Sequence, residues 1–406
     1  MKLHFATVVF LIALTLNGIC WGLLYGFVRR LSPPWRRGLR IALACFIGFE
    51  LLGFCWITIP RMMFHEAPPL PGRFLPSLIL LWNLLTLPLV TAFLLVAAAI
   101  RHLVRWSGKL YRRYRTAPVP SPSPDTTTSA TEEEVANPNR RQFLFRTGAA
   151  LLPAVSTLGM TVAAYLQLPF FRTRKTEVLI PDLPPELDGL RIAHVSDFHA
   201  GRFIDTDYLR RITDTVNALD VDLIAFTGDL IDYNLTDLPA ALDCLRGMRS
   251  RYGLWLCEGN HDLYEDADAF RAAARASGLN FLFNDSRVIT VREVPVQIIG
   301  LSWETSVGPD RIDWRADTFP ILLGHHPHCF DGAVAAGIPL TLSGHTHGGQ
   351  IMLTKSIGCG PVFFRYWSGL YEKEECRLVV SNGAGNWFPL RINAPAEIGL
   401  VTLKRV

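Results

Sequence analysis

Five short segments in the second half of the chain carry carboxylate, imidazole and amide groups. They are Asp197-Phe198-His199, Gly228-Asp229, Gly259-Asn260-His261-Asp262, His325-His326-Pro327 and Gly344-His345-Thr346-His347. These are the ordinary N and O donors of divalent transition metals. A pair of cations about 3.5–4 Å apart needs one shared ligand and several further donors. A carboxylate can be shared, because it has two oxygens and a charge to set against two cations, while imidazoles complete each sphere without adding charge. Asp197 and His199 are two apart, as are His345 and His347, so each pair can face one ion. Asn260 offers a neutral amide oxygen, and Gly228 permits close backbone approach beside Asp229. Singly, each segment is a weak signal, since Gly-Asp is more often a turn and Asn-His a solvated loop. As an ordered set they argue for a two-metal hydrolytic centre.

Most of these segments follow apolar runs of strand character: Leu190 to Val195, Leu223 to Phe226, Leu254 to Cys257 and Ile321 to Leu323. Amphipathic helices are expected between them, over Asp205 to Leu219, Leu238 to Met248 and Ala267 to Ser277. Strands alternating with helices predict α/β layers, which gather chemistry at strand ends. The closely spaced runs Arg287 to Arg292 and Val296 to Gly300 predict an added antiparallel part, and Arg377 to Ser381 and Ile398 to Leu403 further strands. His194 lies inside a strand and reads as core.

The first hundred residues have a different character. Half of the 406 residues are hydrophobic and mean hydropathy is +0.23, with the surplus concentrated at the N-terminal end. Phe5 to Val28 and Leu78 to Ile100 carry no charge, and Ile41 to Ile59 only Glu50. Each is long enough to cross a hydrocarbon core of roughly 30 Å as a helix. Three in succession predict a membrane region over residues 1–115 rather than buried globular helices or a cleaved signal peptide. Thr116 to Asn139 is rich in Pro, Ser, Thr and acidic residues and reads as a disordered linker. The segment 140–171 contains a weaker uncharged stretch, Thr147 to Phe171, behind Arg140-Arg141. It reads either as a fourth span with a basic flank or as a twin-arginine-like export signal. Arg29, Arg30, Arg36 and Arg37 precede the second span, and six Lys or Arg residues from Arg101 to Arg115 follow the third. Basic loops stay inside. A fourth span would therefore set residues 172–406 outside the cytoplasm, and its absence would keep them within.

A net charge of +4, with Arg residues beside the apolar spans, argues against a nucleic-acid partner. Cys20, Cys45 and Cys55 lie in the spans and read as packing. Cys244, Cys257, Cys329, Cys359 and Cys376 include no Cys-x-x-Cys pair, which argues against a zinc–thiolate site. In an exported domain they allow up to two disulfides, with pairing open.

The longest signatures are Thr227-Gly228-Asp229-Leu230, Glu258-Gly259-Asn260-His261-Asp262 and Ser343-Gly344-His345-Thr346-His347-Gly348-Gly349-Gln350. They resemble those of the calcineurin-like metallophosphoesterases, especially the membrane-anchored bacterial branch, from about Thr176 to Leu403. The resemblance implies a four-layer α/β/β/α sandwich behind the all-α transmembrane region. It implies two divalent ions (Mn, Fe, Zn or Co), one held by Asp197, His199 and His347, the other by Asn260, His325 and His345, with Asp229 shared. Spacing leaves His325, His326 and His328 open as donors; the family's His-x-Pro pattern points to His325, and His326 and His328 are then expected to line the site rim. The implied reaction is attack on phosphorus by hydroxide between the ions. His261 would serve as general acid or hydrogen-bond donor to the leaving oxygen. Asp232 would either hold His261 or cap a helix, and Asp262 would cap the turn after it.

The expected substrate is a phosphodiester or pyrophosphate, lipid-linked because the enzyme is tethered beside lipid. Some relatives act as UDP-2,3-diacylglucosamine pyrophosphatases, which would require a cytoplasmic-facing site, and others on aryl phosphodiesters. A non-catalytic scaffold is a further reading, set against a full donor set. Arg391, after Trp387-Phe388-Pro389, is expected either to meet a substrate phosphate or to be an exposed structural residue. The aromatic segment Phe363 to Tyr371 is expected either to take up lipid or to form a hairpin on the sheet.

Overall fold

A computed structural model describes residues 2–29, 33–64, 74–115, 152, 155–308 and 313–406. The chain divides into two compact units, Met1–Val162 and Ala163–Val406. The first is all helical among the described residues. It holds α1 (Lys2–Val28), α2 (Pro33–Phe64) and α3 (Phe74–Leu81), the last running through a π turn at Trp82–Thr86 into α4 (Leu87–Arg115). Arg36–Ile59 and Phe74–Tyr111 are long and apolar enough to cross a bilayer. Asn17 Nδ2 donates to Asn83 Oδ1 at 3.0 Å, and Asn83 Nδ2 to Glu50 Oε2 at 3.5 Å, all buried, so polar groups link α1, α2 and the π turn. The expected linker, the Arg140-Arg141 segment and the start of the fourth stretch lie outside the described residues; 155–167 forms α5.

In the second unit, chain order is β1 (Arg172–Ile180), β2 (Arg191–Val195), α6 (Thr206–Ala218), β3 (Leu223–Thr227), α7 (Leu238–Arg246), β4 (Leu254–Cys257), α8 (Ala267–Ala276) and β5 (Asn280–Phe281). There follow β6 (Asp285–Val291), β7 (Val294–Gly300), α9 (Trp303–Ser306), β8 (Phe319–Leu323), α10 (Cys329–Ala336) and β9 (Leu340–Ser343). The chain ends with β10 (Met352–Thr354), β11 (Ile357–Gly358), α11 (Cys359–Phe363), β12 (Gly369–Lys373), β13 (Cys376–Val380) and β14 (Glu397–Arg405). One six-stranded sheet has the order β1-β14-β2-β3-β4-β5 and the other β12-β13-β9-β8-β7-β6.

Alternation within the strands builds the layers. In β3, Leu223 and Ala225 enter the core between the sheets with Val296, Ile298, Ile321 and Leu340, while Ile224 and Phe226 face α6 to α8. The other face of the second sheet packs on α10 through Leu322, Phe330 and Leu378. This is the expected α/β/β/α sandwich. The expected antiparallel part is the β6–β7 hairpin, paired from Asp285↔Gly300 to Val291↔Val294. Strands β2, β3 and β4 run parallel in one sheet, β7, β8, β9 and β13 in the other. Five of their ends carry the five donor segments. Asp205 and Asp266 cap α6 and α8 by accepting the N–H of Tyr208 and Ala269, each at 2.9 Å. All eight cysteines are free in this structure.

Strand β1 is polar in sequence and is held by charge. It pairs in parallel with β14 from Arg172↔Glu397 to Ile180↔Arg405. The buried Glu397 carboxylate meets Arg174 at 2.6 Å and Arg172 at 3.0 Å, and accepts the Asn382 N–H at 3.1 Å. Removing it strands two cations beside the sheet edge. Glu397→Ala should cost about 2–4 kcal/mol, less than for a fully buried pair because both guanidiniums are partly exposed. Thermal unfolding of the detergent-solubilised chain should show a clear drop in midpoint, and an unchanged midpoint would remove this pair from the fold's supports.

Candidate metal centre

Three of the five donor segments leave their strand ends through backbone turns that most side chains avoid. Asp197, His199, Asp229, His345 and His347 all have positive φ, between 48° and 70°. Asp and His tolerate this region better than most residues, yet each such position costs roughly 1 kcal/mol or more. The glycines among them are there for space. A Cβ on Gly344 would collide with Ser196 Oγ and Asp197 Oδ2, and one on Gly228 would lie 2.7 Å from both the Gly259 nitrogen and His325 Nδ1.

The turns bring the donors together in two connected groups: Asp197, His199 and His347, and Asp229, His325 and His345. His199 and Asp229 also group with His261. His347 Nε2 lies 3.3 Å from Asp197 Oδ1 and 3.0 Å from His199 Nε2. His199 Nε2 is 3.6 Å from Asp229 Oδ2, and His325 Nε2 is 3.1 Å from the same oxygen. Asp229 thus stands between the groups. His345 is anchored by its backbone N–H, 3.1 Å from Asp197 Oδ1.

This donor set fits divalent cations. His325 Nε2 and Asn260 Oδ1 are buried and make no hydrogen bond among the described residues, although His325 Nε2 is close to Asp229. Their partner atoms are already fixed from behind: His325 Nδ1 on the Thr227 carbonyl at 2.6 Å, and Asn260 Nδ2 on the Tyr264 hydroxyl at 2.6 Å. Two buried carboxylates also require positive charge nearby. Burial works to raise the Asp229 pKa, but His325, His261 and His199 outweigh it and hold the group well below the usual range. Burial, Arg391 and His199 together push His347 well down. Arg391 Nη2 donates to His347 Nδ1 at 2.7 Å, which leaves Nε2 as the nitrogen that would face a cation.

His261 is positioned by both ends. Its N–H donates to Asp229 Oδ1 at 2.8 Å, and Nδ1 meets the Asp232 backbone carbonyl at 2.7 Å, with the Asp232 carboxylate at 3.6 Å. The carbonyl of Asp232 is therefore the nearer support. Burial alone would lower the His261 pKa, but Asp229 and Asp232 outweigh it and bring it to about 9. Asp232 starts no helix; the next helical turn begins at Leu235.

Three residues sit differently from their sequence expectations. Asp262 does more than cap the following turn: its two oxygens accept four backbone N–H groups, from Asp229 (3.1 Å), Leu230 (2.7 Å), Ile231 (3.1 Å) and Gly259 (2.8 Å). Arg391 is neither exposed nor free for a substrate phosphate. It is buried, with its donors spent on Asn386 Oδ1, the carbonyls of Asn382, Ala394 and Gly385, and His347. His326 is buried behind His345, with ring centroids 4.8 Å apart, and not on a rim. Tyr366 packs into the α10-side core while β12 forms an antiparallel edge strand, so the hairpin reading accounts for the end of the aromatic segment. His194 is the buried core residue expected, with Nε2 3.0 Å from Thr227 Oγ1.

Trp303 was not anticipated. Its ring lies 5.1 Å from that of His345 and 5.7 Å from those of His325 and His326. Buried Glu258 holds it in place, accepting the Trp303 N–H at 3.0 Å while paired with Arg271. The clue was a charged residue, Glu258, directly after an apolar strand. Trp387 faces His261 and His347 at 6.3 and 6.4 Å, and Phe364 faces His345 at 5.8 Å. Aromatic rings thus surround the donors.

A sandwich with N and O donors at these strand ends defines the class. The family model for calcineurin-like phosphoesterases matches residues 190–349. The metallophosphoesterase YkuE of Bacillus subtilis is 31% identical over 281 residues, covering 66% of this chain and 98% of that protein. The chain belongs to the calcineurin-like phosphoesterase family. It is also similar to a transmembrane protein with metallophosphoesterase domain from Danio rerio, 30% identical over 299 residues, covering 68% of this chain and 65% of that one. The phosphodiesterase YaeI of Escherichia coli is 26% identical over 228 residues, covering 52% and 82%. The match thus spans just under two thirds of the Danio rerio relative.

Gly344→Ala should push Asp197 aside, because its new methyl group has nowhere else to go. Elemental analysis should find less bound transition metal than in wild type, with unchanged circular dichroism. Full metal content in that variant would contradict the close approach at Gly344.

Proposed function

We propose that this chain is a membrane-tethered, metal-dependent phosphoesterase that hydrolyses a phosphodiester or a pyrophosphate, with two divalent cations sharing Asp229. The observation that carries the reading is the position of Asp229, within 4 Å of both His199 and His325 and between two groups of buried donors. One cation would be held by Asp197, His199 and His347, the other by Asn260, His325 and His345. Such cations make hydroxide available near neutral pH and take up charge on the phosphoryl oxygens. His261 would then give a proton, or a hydrogen bond, to the departing oxygen, held on line by Asp229 Oδ1 and the Asp232 carbonyl. The name phosphodiesterase carried by the Escherichia coli relative supports the substrate class. The aromatic rim supports an ester with an apolar or aryl substituent over a nucleic acid.

Two apolar helices and the transmembrane-named relative support membrane association. We place the second unit outside the cytoplasm, on the distribution of basic residues around the spans.

Two measurements test these assignments. Asp229→Asn should abolish hydrolysis and lower metal content. His261→Gln should lose about 10²-fold or more on an alkyl phosphodiester but far less on a nitrophenyl one, whose leaving group needs no proton. It should also lose any alkaline limb, because the acid form disappears as pH rises through its pKa. Equal losses on both esters would exclude His261 as the acid. For topology, paired reporters fused after Phe171 should report the outside, and a cytoplasmic signal would reverse the orientation.

A further inference from the structure

Directly after the last donor segment, the β10–β11 ribbon and α11 form one protruding feature. The Cys359 N–H donates to the Ile351 carbonyl at 2.9 Å, and the Gly360 N–H to Met352 Sδ at 3.3 Å, so ribbon and helix are joined. Met352 and Gly360 are buried at that junction. The large apolar side chains on the outside are not: Leu353 is 73% exposed, Ile357 59%, Val362 73% and Phe363 70%. From Arg172 onward, and apart from the terminal Val406, these are the four most exposed large apolar residues among those described. Single exposed apolar residues are ordinary, whereas a group on one protrusion marks a contact surface.

The charged residues of the stretch itself are basic. From Gln350 to Tyr371 the chain contains no Asp or Glu; its charged residues are Lys355, exposed and unneutralised by its own segment at the ribbon turn, and Arg365, which pairs with Asp331 of α10 at 3.0 Å. Apolar and aromatic side chains flanked by Lys and Arg suit the boundary between headgroups and acyl chains. Phe364 turns the other way, its ring 5.8 Å from His345 and 6.5 Å from His326, so the protrusion is continuous with the donor cluster.

We propose that this ribbon and helix dock on the surface of an anionic lipid bilayer. Leu353, Ile357, Val362 and Phe363 enter the acyl boundary and Lys355 lies among the headgroup phosphates. The chain's own long apolar helices keep such a surface at high effective concentration. The donor cluster then opens beside the headgroup layer, where a phosphoester borne by a lipid would reach it. The docking itself does not depend on catalysis; the choice of a lipid ester as substrate rests on the function proposed above.

The full chain, reconstituted in vesicles of phosphatidylethanolamine and phosphatidylglycerol, should carry photoreactive benzoylphenylalanine in place of Phe363, or of Val288 on β6 as control. Mass spectrometry should find lipid adducts at position 363 well in excess of those at 288. Equal adduction at both, or adducts at 363 only to polypeptide (a second copy or another part of the chain), would overturn the proposal. A combined Leu353→Ser, Ile357→Ser, Val362→Ser and Phe363→Ser chain gives the second readout. It should turn over a soluble aryl phosphodiester at the wild-type rate and a phosphodiester lipid in the same vesicles several-fold more slowly. Undiminished turnover of the lipid would count against docking. Failure of the wild-type chain on both esters would count against the proposed activity and leave the adduct result standing.

Discussion

One carboxylate outside the donor groups holds the centre in shape. Asp262 accepts N–H groups from Gly259 on the loop after β4 and from Asp229, Leu230 and Ile231 on the loop after β3. A buried carboxylate with four such donors is well satisfied, and replacing it would leave several backbone groups unpaired in a dry interior. Because the two loops are clasped to the same pair of oxygens, Asp229, Asn260 and His261 keep one mutual arrangement. The second sheet then needs only to bring His325, His345 and His347 up to a face that already exists. Gly228 and Gly344 keep the facing backbones close enough for that.

Much of this was readable in the residues. Apolar runs followed by polar donor segments placed β2, β3, β4 and β8 within a residue or two, and the helices between them followed from their periodicity. Those elements are strongly patterned because one face of each is buried against a layer. The edges were less legible. Strand β1 is rich in Arg, Lys and Thr, and only Val178 and Ile180 are fully buried, so its pairing with β14 depends on Glu397, more than two hundred residues away. No local pattern encodes such a partner.

Within the site, the donor types were visible and the supports were not. Arg391 stands in a loop with Trp387 and Phe388, and a basic residue near a phosphate-binding centre invites a contact with substrate. Folding instead buries its guanidinium among backbone carbonyls, where it fixes the loop and the His347 ring. Glu258 and Trp303 are forty-five positions apart in sequence, and their contact exists only because the end of β4 and the start of α9 meet. The polar link that steadies the first unit, through Asn17, Asn83 and Glu50, is likewise invisible in a hydropathy profile except as one interruption.

The positive φ angles at Asp197, His199, Asp229, His345 and His347 carry a consequence for how such a chain can change over time. Each of these sites is a position where glycine or asparagine would sit with less backbone strain. A copy of the gene relieved of catalysis would therefore gain stability by shedding its donors one at a time, the usual opposition between robustness and activity. Retention of the complete set in this chain is the arrangement with the greater conformational cost, held in place by the tight packing around it.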